Sequence, residues 1–161
     1  MNDREYKWLA LLRLLIQWSR TSDPQKKFPL EIQLMAWGQA HSRWLRKKFQ
    51  RRIFYCYSCD ISPSAKINPS VKFPHPTGVV IGSNAIIDKE CIIYQQVTIG
   101  SDFGEDNSMA HLQSGTKVGA GAKVIGGIII GEQCVIGTGA VVTKDIPSYS
   151  MVVGANKVIH K

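Results

Sequence analysis

A branched aliphatic residue returns every six positions over most of the last hundred residues of this 161-residue chain. Hexads open at Ile61, Ile67 and Phe73, then at Ile81, Ile87, Ile93 and Ile99, and again at Val118, Val124, Ile130, Ile136 and Val142. The fifth place of each hexad is small or aliphatic, as at Ala65, Ala85, Cys91, Ala122, Cys134 and Ala140. Glycine often follows the opener, at Gly82, Gly100, Gly119, Gly131 and Gly137. A six-residue spacing would spiral apolar side chains around a 3.6-residue helix, so this region is not helical. Two inward positions per six residues suit a three-sided solenoid. The opener fills the core of each flat face, and the smaller residue sits near a corner, where glycine tolerates backbone that branched residues do not. This register assigns Cys91 and Cys134 to packing. Cys56 and Cys59 form a lone C-x-x-C with no second pair at zinc-site spacing, and the pair is read as incidental.

The repeat breaks twice. Phe73 to Ile81 is eight residues, with two inserted around Pro74-His75-Pro76-Thr77-Gly78. Ile99 to Val118 is nineteen, and the stretch from Ser101 to Ser114 has lost the aliphatic pattern, which predicts a loop thrown out from the solenoid. Each break carries a histidine, His75 and His111; the other two are His41 and His160.

Before Asp60 the chain is built differently. Residues 1–60 hold 12 Lys and Arg against 5 Asp and Glu, all four tryptophans and a single glycine, Gly38. Helical spacing of Trp8, Leu11, Leu12, Leu15 and Ile16 predicts one helix from Glu5 to Arg20. A second is expected from Pro29, as its first residue, to Arg52. This predicts a helical segment over 1–59 and a solenoid over 60–161. The basic stretch from Arg43 to Arg52, interleaved with aromatics, reads first as a solvated face packed on the solenoid. Contact with an anionic membrane is the next option, and nucleic acid is disfavoured because no recognised binding motif accompanies the charge. No apolar run is long enough to span a bilayer, since Arg13 interrupts the richest one. The start of the chain lacks the pattern of an export signal, so reduced thiols in the cytoplasm are expected, with the inner membrane face as a peripheral option.

The strings Asp60-Ile61-Ser62-Pro63-Ser64-Ala65, His75-Pro76-Thr77-Gly78, Val118-Gly119-Ala120-Gly121-Ala122-Lys123 and Ile136-Gly137-Thr138-Gly139-Ala140-Val141-Val142-Thr143-Lys144-Asp145 resemble the hexapeptide-repeat acyltransferases. Within these they are similar to serine acetyltransferases and polysaccharide O-acetyltransferases. The resemblance implies a mainly β fold, a left-handed parallel β-helix behind a short helical segment, acting as an O-acetyltransferase on acetyl-CoA without a metal. It implies His75 as general base, Asp60 as the carboxylate orienting it, and His111 as a second histidine contacting the acceptor. It places coenzyme A between subunits of a homotrimer, against Ala120, Thr138, Thr143, Lys144 and Lys157. Such trimers also pair into hexamers in the family. The chemistry agrees: a hydroxyl attacking a thioester needs a proton acceptor working near neutral pH, which imidazole supplies. Backbone N–H groups near Gly100 are the expected oxyanion donors.

Two departures bear on the acceptor. Serine acetyltransferases usually carry an aspartate directly before the catalytic histidine, and here Pro74 stands in its place. Their long helical domain is replaced by about sixty residues. A sugar or polysaccharide hydroxyl, of the capsule or exopolysaccharide type, is therefore the expected acceptor. Serine is the alternative, and a non-catalytic β-helix scaffold is the alternative of another class.

Overall fold

The computed structural model describes residues 3–102 and 108–154. Three helices come first: α1 (Asp3–Arg20), α2 (Pro24–His41) and α3 (Arg43–Tyr57). Short parallel strands follow: β1 (Asp60–Ile61), β2 (Lys66–Ile67), β3 (Val80–Ile81), β4 (Ile86–Ile87), β5 (Ile92–Ile93), β6 (Thr98–Gly100), β7 (His111–Leu112), β8 (Lys117–Val118), β9 (Lys123–Ile125), β10 (Ile129–Ile130), β11 (Val135–Ile136), β12 (Val141–Val142) and β13 (Met151–Val152). They stack into three parallel sheets, β1-β3-β6-β9-β12, β2-β4-β7-β10 and β5-β8-β11-β13, so that each circuit of the chain visits the three faces of a prism in turn. Isolated bridges from Lys72 to Ile92 and from Ile130 to Ile146 extend the third and second faces.

The hexad pattern accounts for this architecture. Openers such as Ile61, Ile81, Ile99, Val124 and Val142 form one buried column inside the first face. At most corners the residue before the fifth place lies in the left-handed region, whether glycine (Gly78, Gly121, Gly139) or not (Asn84, Glu90, Gln96, Gln133). That conformation turns the corner. At Gly119 the constraint is different: a Cβ there would stand 2.7 Å from the Thr138 backbone nitrogen, so the coils approach too closely for any side chain.

The second break ends earlier than the pattern predicts. Leu112 is a buried opener paired with Ile87 and Ile130, and Thr116 fills its fifth place, donating from Oγ1 to the Gly131 carbonyl at 2.9 Å. A polar residue in that place hid the hexad from a pattern built on aliphatics. His111 therefore lies on a strand and not in the extruded loop.

The helices also differ from expectation. Asp23 caps α2 through its side chain, accepting from the Gln25 N–H at 3.0 Å, so the helix starts with Pro24 and carries Pro29 inside it. A break at Ser42 divides the expected long second helix. The Ser42 hydroxyl accepts from the Leu45 N–H, and a Cβ at Gly38 would meet the Arg46 backbone nitrogen. On α1 the buried side is Leu11, with Leu14, Leu15 and Trp18 packed beside it, while Trp8, Leu12 and Ile16 are exposed. The Glu31 carboxylate, wholly buried, accepts from Trp18 Nε1 at 2.8 Å and from Arg52 Nε and Nη2 at 3.1 and 3.0 Å, joining the three helices. Phe28 packs edge-on against both Tyr57 and Phe73, seating the bundle on the first coil.

Candidate active site

The two residues inserted after Phe73 bulge outward at the corner between the third and first faces. Buried Phe73 and Pro76 anchor this turn, and His75 between them is exposed. Its carbonyl accepts from the Thr77 N–H at 2.8 Å, and its ring centroid lies 6.3 Å from that of Tyr94.

Below this turn, backbone bonds run down one edge of the prism. Gln96 N–H donates to Thr77, Gly121 N–H to Gln95 and Gly139 N–H to Ala120, each at 2.9 Å. His75, Ala120 and Thr138 thus share an edge. With coils spaced about 4.8 Å apart, Ala120 and Thr138 lie about 10 and 15 Å below the histidine turn. Gly121 and Gly139 leave open space at the positions a Cβ would take, so the edge is shallow enough for a ligand to approach the backbone.

The other candidates lie elsewhere on the chain. Gly100 ends β6 at the far edge of the first face, where its carbonyl accepts from Gly126 N–H at 2.8 Å. Thr143 and Lys144 follow β12 at that same far edge and are exposed. One chain therefore does not gather Ala120 and Thr138 with Thr143 and Lys144. Lys157 lies outside the described residues.

Asp60 opens β1 and is exposed, and its backbone N–H donates to Val79 at 2.9 Å while Gly78 N–H reaches the Tyr57 carbonyl at 3.3 Å. The end of α3, Asp60 and the His75 turn are thereby tied together, although among the described residues no hydrogen bond joins the Asp60 carboxylate to the His75 imidazole. Asp60 faces a cavity of about 330 Å³ whose other walls are Lys47, Gln50, Arg51, Phe54 and Tyr55 of α3.

His111 stands on the second face with its Nε2 2.8 Å from Asp88 Oδ2, both side chains partly exposed. Nothing in the hexad pattern marks Asp88, which pairs with a residue 23 positions away. The cysteines pack. Cys59, Cys91 and Cys134 are buried, Cys56 is exposed and all four are free thiols. Burial pushes the Cys59 and Cys91 thiols up, away from the reactive thiolate.

Comparison with known proteins places this geometry. Residues 109–144 match the bacterial transferase hexapeptide (six repeats) family. A serine acetyltransferase of Buchnera aphidicola subsp. Schizaphis graminum is 34% identical over 137 residues, covering 80% of this chain and 52% of that protein. One from Synechococcus elongatus is 45% identical over 97 residues, covering 59% of this chain and 39% of that protein. A solved serine acetyltransferase in complex with CoA superposes with a TM-score of 0.70 at 29% identity, covering 80% of this chain and 53% of that one. The chain thus spans about half the length, or less, of these relatives. Its coils form the left-handed parallel β-helix that the sequence predicts. With the repeat, the corner edge and the matched relatives in agreement, the chain is similar to the hexapeptide-repeat transferases, and the relatives it matches there are serine acetyltransferases.

Proposed function

We propose that this protein is an O-acetyltransferase that moves an acetyl group from acetyl-CoA directly onto a hydroxyl, with His75 as general base. The observation that carries the reading is the edge shared by His75, Ala120 and Thr138, which offers a proton acceptor at one end of a shallow track. The acceptor oxygen bonds to the acetyl carbon as the C–S bond breaks. His75 takes the hydroxyl proton and passes it to the departing thiolate. Asp60 orients the imidazole once acceptor and acetyl-CoA close the site, and backbone N–H near Gly100 holds the developing oxyanion.

The split of candidates between two edges favours a homotrimer. The His75 edge of one copy then meets the Gly100, Thr143 and Lys144 edge of its neighbour, with coenzyme A between them and Lys144 and Lys157 toward its phosphates. His111, held by Asp88, contacts the acceptor from a second copy in this arrangement.

Serine is the acceptor the comparisons favour, because the matched relatives named above are serine acetyltransferases. A sugar hydroxyl is the second reading. Pro74 supports it, since it removes the acidic side chain that an ammonium-bearing acceptor would use.

Thiol release from acetyl-CoA, measured with serine and with a sugar panel, tests both readings. His75→Ala should lower turnover by roughly 10²- to 10⁴-fold. Because His75 is exposed, folding stability should change by less than about 0.5 kcal/mol. Equal release from wild type and variant would remove His75 from its role.

A further inference from the structure

The cavity beside Asp60 is built unlike the coenzyme edge. Lys47, Gln50, Arg51 and Phe54 succeed one another along one face of α3, at helical i, i+3, i+4 and i+7 spacing, and Tyr55 adjoins them. Phe54 and Tyr55 are 52% and 78% exposed, with rings edge to face at 5.3 Å. The opposite face of α3 carries Leu45, Phe49 and Ile53 into the core, so packing explains that side and not this one. Two other cations of the basic run have partners of their own: Arg52 binds Glu31, and Lys48 lies over the Trp44 and Trp18 rings.

We propose that this cavity is the acceptor subsite and that it takes an acidic sugar, a pyranose bearing a carboxylate. The inference rests on the acetyl-transfer reading and chooses its acceptor class. Lys47 and Arg51 meet the carboxylate, and the guanidinium fork can bind it in bidentate fashion. Phe54 and Tyr55 offer flat apolar surfaces to the C–H face of the ring. Gln50 provides both a donor and acceptors for hydroxyls. Asp60 at the cavity wall donates its backbone N–H to Val79, just after the His75 turn, so the cavity and the proposed base belong to the same first coil. About 330 Å³ lies within the range of small-molecule pockets. A free amino acid would leave both aromatic faces without a partner. The nucleotide end of coenzyme A fits less well, because the cavity belongs to the first coil whereas Ala120 and Thr138 lie coils below.

The test measures binding apart from turnover. Full-length His75→Ala protein is titrated with a glucuronate-containing oligosaccharide (hyaluronan tetrasaccharide), with disialic acid, with neutral maltotetraose and with adenosine 3′,5′-bisphosphate, using saturation-transfer NMR and calorimetry. One acidic sugar should bind and maltotetraose should not. Adding Lys47→Ala and Arg51→Ala should weaken binding at least tenfold, and Tyr55→Ala should erase the transfer signal on ring protons. In wild-type turnover the double variant should raise KM for the acidic sugar while KM for acetyl-CoA stays level. Failure of both acidic sugars to bind, or equal binding of maltotetraose, overturns the proposal. So does displacement of the sugar by the bisphosphate. Acetyl transfer to serine without binding of either acid would overturn this subsite while leaving the acetyltransferase reading in place.

Discussion

Thr116 and Gly119 show how tightly single positions are set in the solenoid. Thr116 is fully buried where other hexads carry Ala or Cys, and its hydroxyl donates to the Gly131 carbonyl. Thr116→Val keeps the shape and removes that donor. It should cost about 1–3 kcal/mol, read as a lower urea midpoint at unchanged m-value. Gly119→Ala would place a Cβ against the Thr138 backbone and push two coils apart. It should destabilise by roughly 1–3 kcal/mol and also weaken coenzyme A binding, because Thr138 lies on the proposed track. A variant that loses stability but binds coenzyme A as the wild type does would separate Thr138 from the ligand.

At the scale of elements, the helical bundle hangs on buried polar contacts and on caps. Glu31 accepts from α1 and α3 through one oxygen, and Glu31→Leu strands Arg52 beside an apolar side chain. Because Arg52 is over a third exposed and can turn to water, a loss of about 1–3 kcal/mol is expected, measured by denaturant unfolding. Tyr57, at the junction with the first coil, has its phenol pushed up to about 12 by burial and then by the Glu31 charge. The folded state holds this proton more tightly than the unfolded chain. The stabilisation is therefore complete below about pH 10 and is lost as pH rises toward 12. Tyr57→Phe should flatten the alkaline end of the stability curve, and an unchanged curve would rule out this titration as its cause. Neither the Ser42 break nor the true start of α2 was legible in helical spacing. The spacing of apolar residues does not distinguish one long helix from two, whereas a serine cap and a glycine at a close backbone approach do.

At the scale of the whole molecule, the proposed site depends on which edges meet. Scattering mass in solution should equal three times the 17.9 kDa chain. Coenzyme A should raise the melting temperature, as any ligand that binds only the folded state must; no shift would count against the acetyltransferase reading. Co-expressed His75→Ala and Thr143→Ala/Lys144→Ala chains should recover activity at subsaturating acetyl-CoA that neither has alone, since mixed trimers contain one intact pairing of edges. Absence of recovery would mean that each chain completes its own site.

Local repetition carried most of the architecture. Openers, fifth places and the eight-residue break at His75 follow from a period of six, and the eighteen-residue separation of Ala120 and Thr138 already put them on one corner. A period reports which side of the chain faces inward, and burial in a narrow prism leaves few alternatives. What needed the tertiary structure was everything set by partners from another coil or helix. The Leu112 hexad was hidden by Thr116, whose hydroxyl is satisfied by a carbonyl fifteen residues on. The Asp88–His111 pair, the Glu31 junction and the cavity between α3 and Asp60 likewise join residues far apart in the chain. Such contacts are decided by where packed elements bring side chains together, and no spacing along the chain encodes that.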